Sequence, residues 1–322
     1  LYFGSDNGTF YALEAATKNV VWTFSPGFGT NYSFGDAPAS VVNGVVYAGN
    51  KECKVYALDA FTGEKYWETK LSAATCQVAG VGTTVSGDYV CTATWQGDTA
   101  YCLDKVSGAV QWQQYNANAF VDCDGLIYDD LYILGTGDGT LVAYDIDSGG
   151  AVRWEVTLDN QLAHSSPVVF NDYIYVADGD WIGNGGVLYA LDPNNNGQEV
   201  WRYNIGAFTV SSPAVTDNLL VVGTAHPTAP KLLAFEPGAS YNCPGWTVTT
   251  NAADGDGSLY DCVMAANQTP GDNTITFSIS NTIIKPANPI PFDASGGAVT
   301  VDGTGNNIVV DGSNCTLCSG FE

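Results

Sequence analysis

The chain has 322 residues, 45% of them apolar and 14% charged, and its 34 acidic against 10 basic side chains give a formal charge of −24. That apolar share argues against wholesale disorder, and so few Lys and Arg leave no patch to neutralise the phosphates of a nucleic acid or an anionic membrane. With one Met, 37 Gly, 18 Tyr and 8 Trp, the composition favours pleated strands and tight turns over helices, in about two domains.

No apolar run approaches the ~18–20 residues of a bilayer span, so no membrane insertion is expected. The chain opens inside a strand-like segment, Leu1-Tyr2-Phe3-Gly4, with neither Met nor signal peptide. It therefore reads as a processed product or a fragment, whose first repeat lacks its first strand.

A repeat then governs the sequence to about residue 240. Ala12-Leu13-Glu14 leads to Trp22, and Ala57-Leu58-Asp59-Ala60-Phe61-Thr62-Gly63 leads to Trp67. Cys102-Leu103-Asp104 leads to Trp112, Ala143-Tyr144-Asp145 to Trp154, and Ala190-Leu191-Asp192 to Trp201. A sixth unit begins at Ala234-Phe235-Glu236 and diverges. The tryptophans are 45, 45, 42 and 47 residues apart.

Each unit reads as four short strands. In the second, Pro38 to Val42 is followed by the hairpin signal Asn43-Gly44, then by Val45–Gly49, Lys54–Leu58 and Lys65–Trp67. The Asp-x-x-Thr-Gly stretch supplies the last turn: Asp accepts nearby N–H groups and Gly takes a positive φ. Four-stranded units every ~40–50 residues predict an all-β fold, a β-propeller over residues 1–242. Six blades are recognisable and a seventh is left open.

The repeats resemble the quinoprotein (PQQ-like) β-propeller family, whose tryptophan-docking motif runs Ala-x-Asp-x-x-x-Gly-x-x-x-Trp. The resemblance implies that Trp22, Trp67, Trp112, Trp154 and Trp201 stack between neighbouring blades while the small motif Ala permits close approach. A dehydrogenase of this family would hold pyrroloquinoline quinone at the axis, with a calcium ion, an Asp base, basic side chains facing the quinone carboxylates, and often adjacent cysteines. No Cys-Cys pair occurs here, and Arg153 and Arg202 border motif tryptophans as blade-surface residues would.

No catalytic or cofactor-binding residue is assigned. The sequence has no Gly-x-Ser-x-Gly elbow and no His-Glu-x-x-His, and Asp129-Asp130 falls in a turn. The Asp/Asn/Gly-rich loop after Val176 offers Asp178, Asp180 and Asn184 as oxygen ligands, and Asp254 with Asp256 offers two more. These make Ca²⁺ the one metal left open, against the plainer reading of glycine-rich turns.

From Cys243 the repeat stops, and residues 243–322 read as a second module. Ser258-Leu259 and Ala265-Ala266-Asn267 resemble the CSLREA-type module that opens right-handed parallel β-helices, with Tyr260 and Cys262 departing from its pattern. Ser258 is placed to cap a short helix carrying Leu259, Val263 and Ala266 on one face. Asp302-Gly303 and Asp311-Gly312 follow strands nine residues apart, as successive rungs of a solenoid would.

Nine cysteines and four N-x-S/T sequons, at Asn7, Asn31, Asn267 and Asn314, point to a secreted, disulfide-bonded glycoprotein. Strand pairing sets Cys91 opposite Cys102, Cys243–Cys262 would tie the last blade to the helix, and Cys315–Cys318 would close a loop. Two of Cys53, Cys76 and Cys123 are left to pair. Two unfinished β edges and no reaction centre lead to the expectation of a non-catalytic subunit of an extracellular filament, sheath or cell-surface appendage. Its copies would join by β-strand addition, and N-linked glycans would decorate it. A PQQ-dependent dehydrogenase and a carbohydrate-binding adhesin fragment are the alternatives.

Overall fold

The structure is a computed structural model that describes residues 1–35, 37–71, 81–94, 98–116, 123–162, 164–179, 186–205, 209, 211–216, 219–224, 232–235, 243–252, 257–267, 269, 271–285 and 298–310. Two compact units emerge, Leu1–Val200 with Ile205–Phe235, and Trp201–Asn204 with Glu236–Glu322.

The first unit is a series of antiparallel sheets. The first holds β1 (Tyr2–Gly4), β2 (Phe10–Leu13) and β3 (Val20–Phe24). The second holds β4 to β7 (Ser40–Val42, Val45–Gly49, Lys54–Asp59 and Lys65–Lys70), and the third β8 to β11 (Thr84–Ser86, Tyr89–Thr94, Thr99–Asp104 and Val110–Tyr115). The fourth comprises β12 to β15 (Leu126–Tyr128, Leu131–Gly135, Thr140–Asp145 and Ala151–Thr157). The fifth comprises β16 to β19 (Val168–Phe170, Tyr173–Ala177, Val187–Asp192 and Gln198–Asn204), and the sixth β20 to β22 (Ala214–Val215, Leu220–Gly223 and Leu232–Phe235). Six propeller blades thus stand among the described residues, the first beginning at its second strand.

Sequence pattern explains the layering. The two middle strands of each complete blade are buried along almost their whole length, as in Val45–Gly49 and Lys54–Asp59, because both faces meet a neighbouring blade. Alternate residues serve alternate neighbours. Val46, Ala48, Tyr56 and Leu58 pack with Phe10 and Trp22 of the first blade, whereas Tyr47, Val55 and Ala57 pack with Val90, Tyr101 and Leu103 of the third. The fourth strands are exposed apart from their tryptophan, as in Val110–Tyr115.

The first strands of successive blades, β4, β8, β12, β16 and β20, touch in chain order and form the inner rim. Short polar side chains stitch that rim. The Ser40 amide donates to Thr83 Oγ1 at 3.2 Å and Thr84 Oγ1 donates to the Gly125 carbonyl at 2.6 Å. The Asp124 amide donates to Ser166 Oγ at 2.9 Å, and the Ser166 amide to Ser212 Oγ at 3.0 Å.

The second unit contains β23 (Thr247–Val248), α1 (Leu259–Asn267), β24 (Asn273–Phe277), β25 (Thr282–Ile284), β26 (Val299–Val301) and β27 (Ile308–Val310). Ser258 Oγ accepts the Asp261 amide at 3.0 Å, capping α1. Leu259, Cys262, Val263 and Ala266 of α1 are buried with Val248, Ile275 and Ile284. Among the described residues the strands β23 to β27 pair in parallel.

The expected nine-residue rung period is corrected here. Asn273 pairs with Val299 and Thr282 with Ile308, 26 residues apart, and Thr247 pairs with Thr276, 29 residues apart. Strands that start nine residues apart, such as β24 and β25, belong to different sheets. The corners carry the 26-residue offset: Asn307 Nδ2 donates to Asn281 Oδ1 at 3.1 Å, and both residues have a positive φ, 49° and 51°. Among the described residues no helix is long and apolar enough to cross a membrane.

Candidate binding surface

The motif residues are consumed in joining blades. The Asp59 carboxylate accepts the amides of Phe61 and Thr62 at 2.9 and 2.7 Å, closing the turn, and Asp104 receives Val106 and Ser107 in the same way. In the second to fifth blades the turn ends on a left-handed glycine, Gly63 at φ 75°, Gly108 at 73°, Gly150 at 76° and Gly197 at 69°, whereas the first blade has Lys18 there, at 60°. A Cβ on these glycines would lie 2.7, 2.6, 2.5 and 2.8 Å from the rings of Trp22, Trp67, Trp112 and Trp154, each from the preceding blade. The tryptophans therefore rest on the next blade's glycine backbone. The dock of Trp201 falls outside the described residues.

A bulge completes the unit. Ala57 pairs with Trp67 and Leu58 with Lys65, so Tyr66 is the extra residue, and its hydroxyl donates to Asp59 Oδ2 at 2.5 Å. Arg153 holds the same place in the fourth blade, donating to Asp145 and, at 3.0 and 2.7 Å, to both oxygens of Asp130. Its guanidinium is thereby committed to the blade surface.

The described inner-rim strands read SVV, TVS, LIY, VVF and AV and carry no charged side chain to meet a carboxylated cofactor, and the Asp124 carboxyl next to them accepts the Gly82 amide. The lysines of the second and third blades are engaged at blade surfaces: Lys54 and Lys65 with Glu68, Lys70 with the Glu52 carbonyl and Lys105 with the Gly87 carbonyl.

Of the oxygen ligands expected for Ca²⁺, Asp180, Asn184, Asp254 and Asp256 lie outside the described residues. Asp178 is buried and already accepts the Val187 amide at 2.7 Å, the Asn160 amide at 2.9 Å and the Tyr189 hydroxyl at 2.9 Å. Burial raises its pKa against those hydrogen bonds. Among the described residues no three His, Cys, Asp or Glu side chains gather as a metal site.

Sequons Asn7 and Asn31 are exposed, but their partner hydroxyls serve the loops. Thr9 Oγ1 lies 3.1 Å from Ser25 Oγ, and Ser33 Oγ donates to Asp6 at 2.6 Å. The Asn267 side chain and Asn314 lie outside the described residues, as do Cys76, Cys315 and Cys318. Cys91 is bonded to Cys102 and Cys243 to Cys262. Cys53 is also disulfide-bonded, while Cys123 keeps a buried thiol that donates to the Gly135 carbonyl at 3.3 Å.

Sequence reasoning missed a cleft. Between the second and third blades an apolar recess of about 340 Å³ opens over Val45, Tyr47, Ala57 and Trp67, with Tyr66, Lys105 and Val106 at its mouth. The Tyr47 and Trp67 rings stand 5.9 Å apart, tilted by 45°. Their polar ends both turn to the Lys105 carbonyl, at 3.4 and 3.2 Å, which leaves carbon facing the opening.

Comparison with known proteins follows this geometry. A family model described as outer membrane protein assembly factor BamB matches residues 6–161 and 137–236. The outer membrane protein assembly factor BamB of Yersinia pestis is 28% identical over 202 residues, covering 59% of this chain and 49% of that protein. A 1-butanol dehydrogenase (quinone) of Thauera butanivorans is 26% identical over 190 residues, covering 56% of this chain and 24% of the enzyme. The crystal structure of BamB from Moraxella catarrhalis superposes with a TM-score of 0.55 at 21% identity, over 72% of this chain and 66% of that one, a likeness of fold. The chain spans about half the length, or less, of the curated relatives it matches.

These relatives correct two expectations. They bear the name of an assembly factor for outer membrane proteins, which overturns both the secreted filament subunit and the self-association by β-strand addition. An unfinished β edge in a chain says nothing of what covers it in the cell.

Proposed function

The chain belongs to the PQQ-like repeat family described as outer membrane protein assembly factor BamB, and on that premise we propose that it is a non-catalytic β-propeller scaffold of the bacterial cell envelope that takes part in outer membrane protein assembly. The observation that carries this reading is the use of the repeat residues. Tryptophan, glycine and aspartate are absorbed in blade docking and turn closure, the described inner-rim strands carry no charged side chain, and the Asp124 carboxyl beside them is taken up by the Gly82 amide. What remains for function is surface, offered on a rigid frame.

The second unit is read as the opening coils of a parallel β-helix. Three parallel ladders, two offset by 26 residues and one by 29, and a stacked Asn281–Asn307 corner support it.

The test is affinity purification of the natural full-length protein from its own cells, with outer membrane protein levels measured after its removal. Recovery of outer-membrane assembly components, with a fall in β-barrel proteins of the outer membrane, is the expected result. Unchanged outer membrane protein levels, together with dye-linked alcohol oxidation by the chain given pyrroloquinoline quinone and Ca²⁺, would overturn the reading.

A further inference from the structure

The cleft between the second and third blades is a departure from the repeat rather than a consequence of it. At the next junction Tyr89 stands where Val45 stands here, and Ile146 where Lys105 stands; both pack onto the Trp112 cluster. Tyr89 also reaches over to Asp147, its hydroxyl donating at 3.1 Å. Packing alone could therefore close the recess with residues the fold already uses. Trp67 is only half-buried as a result, whereas Trp22, Trp112 and Trp154 are buried.

The mouth is apolar where other blades are polar. Val106, at the tip of the third blade's turn, is 80% exposed, and Tyr66 is 55% exposed. Polar Asp147 and Asn194 follow the motif Asp at the same two-residue distance in the fourth and fifth blades. Two large exposed side chains, Tyr66 and Val106, on the edge of one apolar recess mark an interaction site.

Charge selects the occupant. Asp59 is hydrogen-bonded to Tyr66 of the lining, Glu64 stands two residues before Tyr66, and Asp104 immediately precedes Lys105 of the lining. The cation at the mouth, Lys105, has its ammonium on the Gly87 carbonyl. The recess thus offers carbon walls with the Asp59 carboxylate bound at Tyr66 and Lys105 engaged by its own blade, on a chain of net charge −24.

We propose that this cleft receives one aromatic or large aliphatic side chain from an extended segment of a partner protein, with Lys or Arg on either side of that anchor meeting Asp59, Glu64 and Asp104. The volume lies at the lower end of the roughly 300–1,000 Å³ of ligand pockets, suited to a single side chain. This inference rests on the reading of the chain as a binding scaffold and names the chemistry of one partner segment.

The experiment titrates the chain with three fluorescent nine-residue peptides of Gly and Ser, differing only in a central Arg-Phe-Lys, Arg-Ala-Lys or Glu-Phe-Glu. Arg-Phe-Lys is expected to bind at least tenfold more tightly than either of the others, and to weaken as salt rises. Val45→Tyr, which fills the recess as Tyr89 does next door, should weaken binding at least tenfold. Val106→Asp, at an exposed tip that cannot unfold the blade, should do the same. Equal binding of all three peptides, or full affinity in both variants, overturns the proposal. So does equal binding of free phenylalanine amide, which would make the recess a small-molecule site. In the natural protein, recovery of assembly components that survives Val106→Asp unchanged counts against the cleft alone, whereas failure of the unaltered protein to recover them counts against the scaffold reading.

Discussion

The indole nitrogen of Trp22 donates to the carbonyl oxygen of Ala60 at 3.0 Å, from the first blade into the turn of the second. Trp67 repeats the bond with Lys105 at 3.2 Å. The indole nitrogens of Trp112 and Trp154 are buried with no acceptor among the described residues. Turn length separates the two cases. Four positions lead from Asp59 to Gly63 and from Asp104 to Gly108, but five from Asp145 to Gly150 and from Asp192 to Gly197. The extra residue keeps the glycine under the ring and turns the carbonyl away.

Replacing Trp22 by Phe should therefore cost more than replacing Trp112 by Phe. Both lose ring area, but only the first loses a hydrogen bond, a net term of about 0.5–1.5 kcal/mol, while the second removes an unsatisfied donor. Urea unfolding of the two variants measures the gap, and equal losses would contradict it.

Gly149 and Gly150 form a matched pair, at φ 70° and 76° in one turn. A Cβ on Gly149 meets nothing within 4 Å, whereas one on Gly150 strikes Trp112 at 2.5 Å. Gly149→Ala should cost only the ~1–2 kcal/mol of a left-handed non-glycine residue. Gly150→Ala should add about 1–3 kcal/mol of overpacking. Thermal unfolding of both variants gives the comparison.

Asp59 has a pKa lowered from its ordinary 3.8 to about 2, first by the Tyr66 hydroxyl and then by the Thr62 and Phe61 amides. A carboxyl depressed on folding stabilises the folded state above its unfolded pKa, and that contribution fades as the pH falls toward 2. Asp59→Asn should accordingly flatten the stability profile between pH 4 and pH 2 and leave the slope above pH 5 unchanged. An unaltered acid slope in the variant would show that the turn does not hold the carboxylate.

The bond between Cys91 and Cys102 joins directly opposed residues of β9 and β10 across 11 residues of chain. Loop-closure entropy assigns it about 2.5–3 kcal/mol. Cys91→Ile with Cys102→Ala, the residues that the fourth blade carries at these places, should lower the unfolding free energy read from urea titration by that amount, with a lower midpoint. The double variant should also lose the midpoint's sensitivity to reductant in this blade.

How far the residues announce these features depends on whether the physics is local. The two-residue hairpin at Asn43-Gly44 is legible because both positions take a positive φ, 50° and 79°, which few other dipeptides tolerate. The Cys91–Cys102 pairing is legible because a hairpin fixes its own register. The cap at Ser258 is legible for the same local reason. The 26-residue offset of the parallel pairs is not, since parallel ladders join strands distant in sequence and a nine-residue spacing between strands of different sheets mimics a rung. The cleft at Trp67 escapes a reading by repeats because it lies where the repeat is broken, at Val45 and Lys105. Asp178 looks like a metal ligand in the sequence, and only the fold shows its oxygens engaged by Asn160, Val187 and Tyr189. Function was misjudged for a further reason: exposed β edges reveal a capacity for pairing, whereas the partner is written in another chain.

The docking of tryptophan on the next blade's glycine underlies the frame, the turns and the cleft alike, and hydrogen exchange of the indole N–H protons, followed by NMR in the intact chain, tests it most directly. Protection of the Trp22, Trp67, Trp112 and Trp154 indole protons by orders of magnitude over an exposed indole is the predicted result. Exchange of these four at the rate of a solvent-exposed indole would contradict the account.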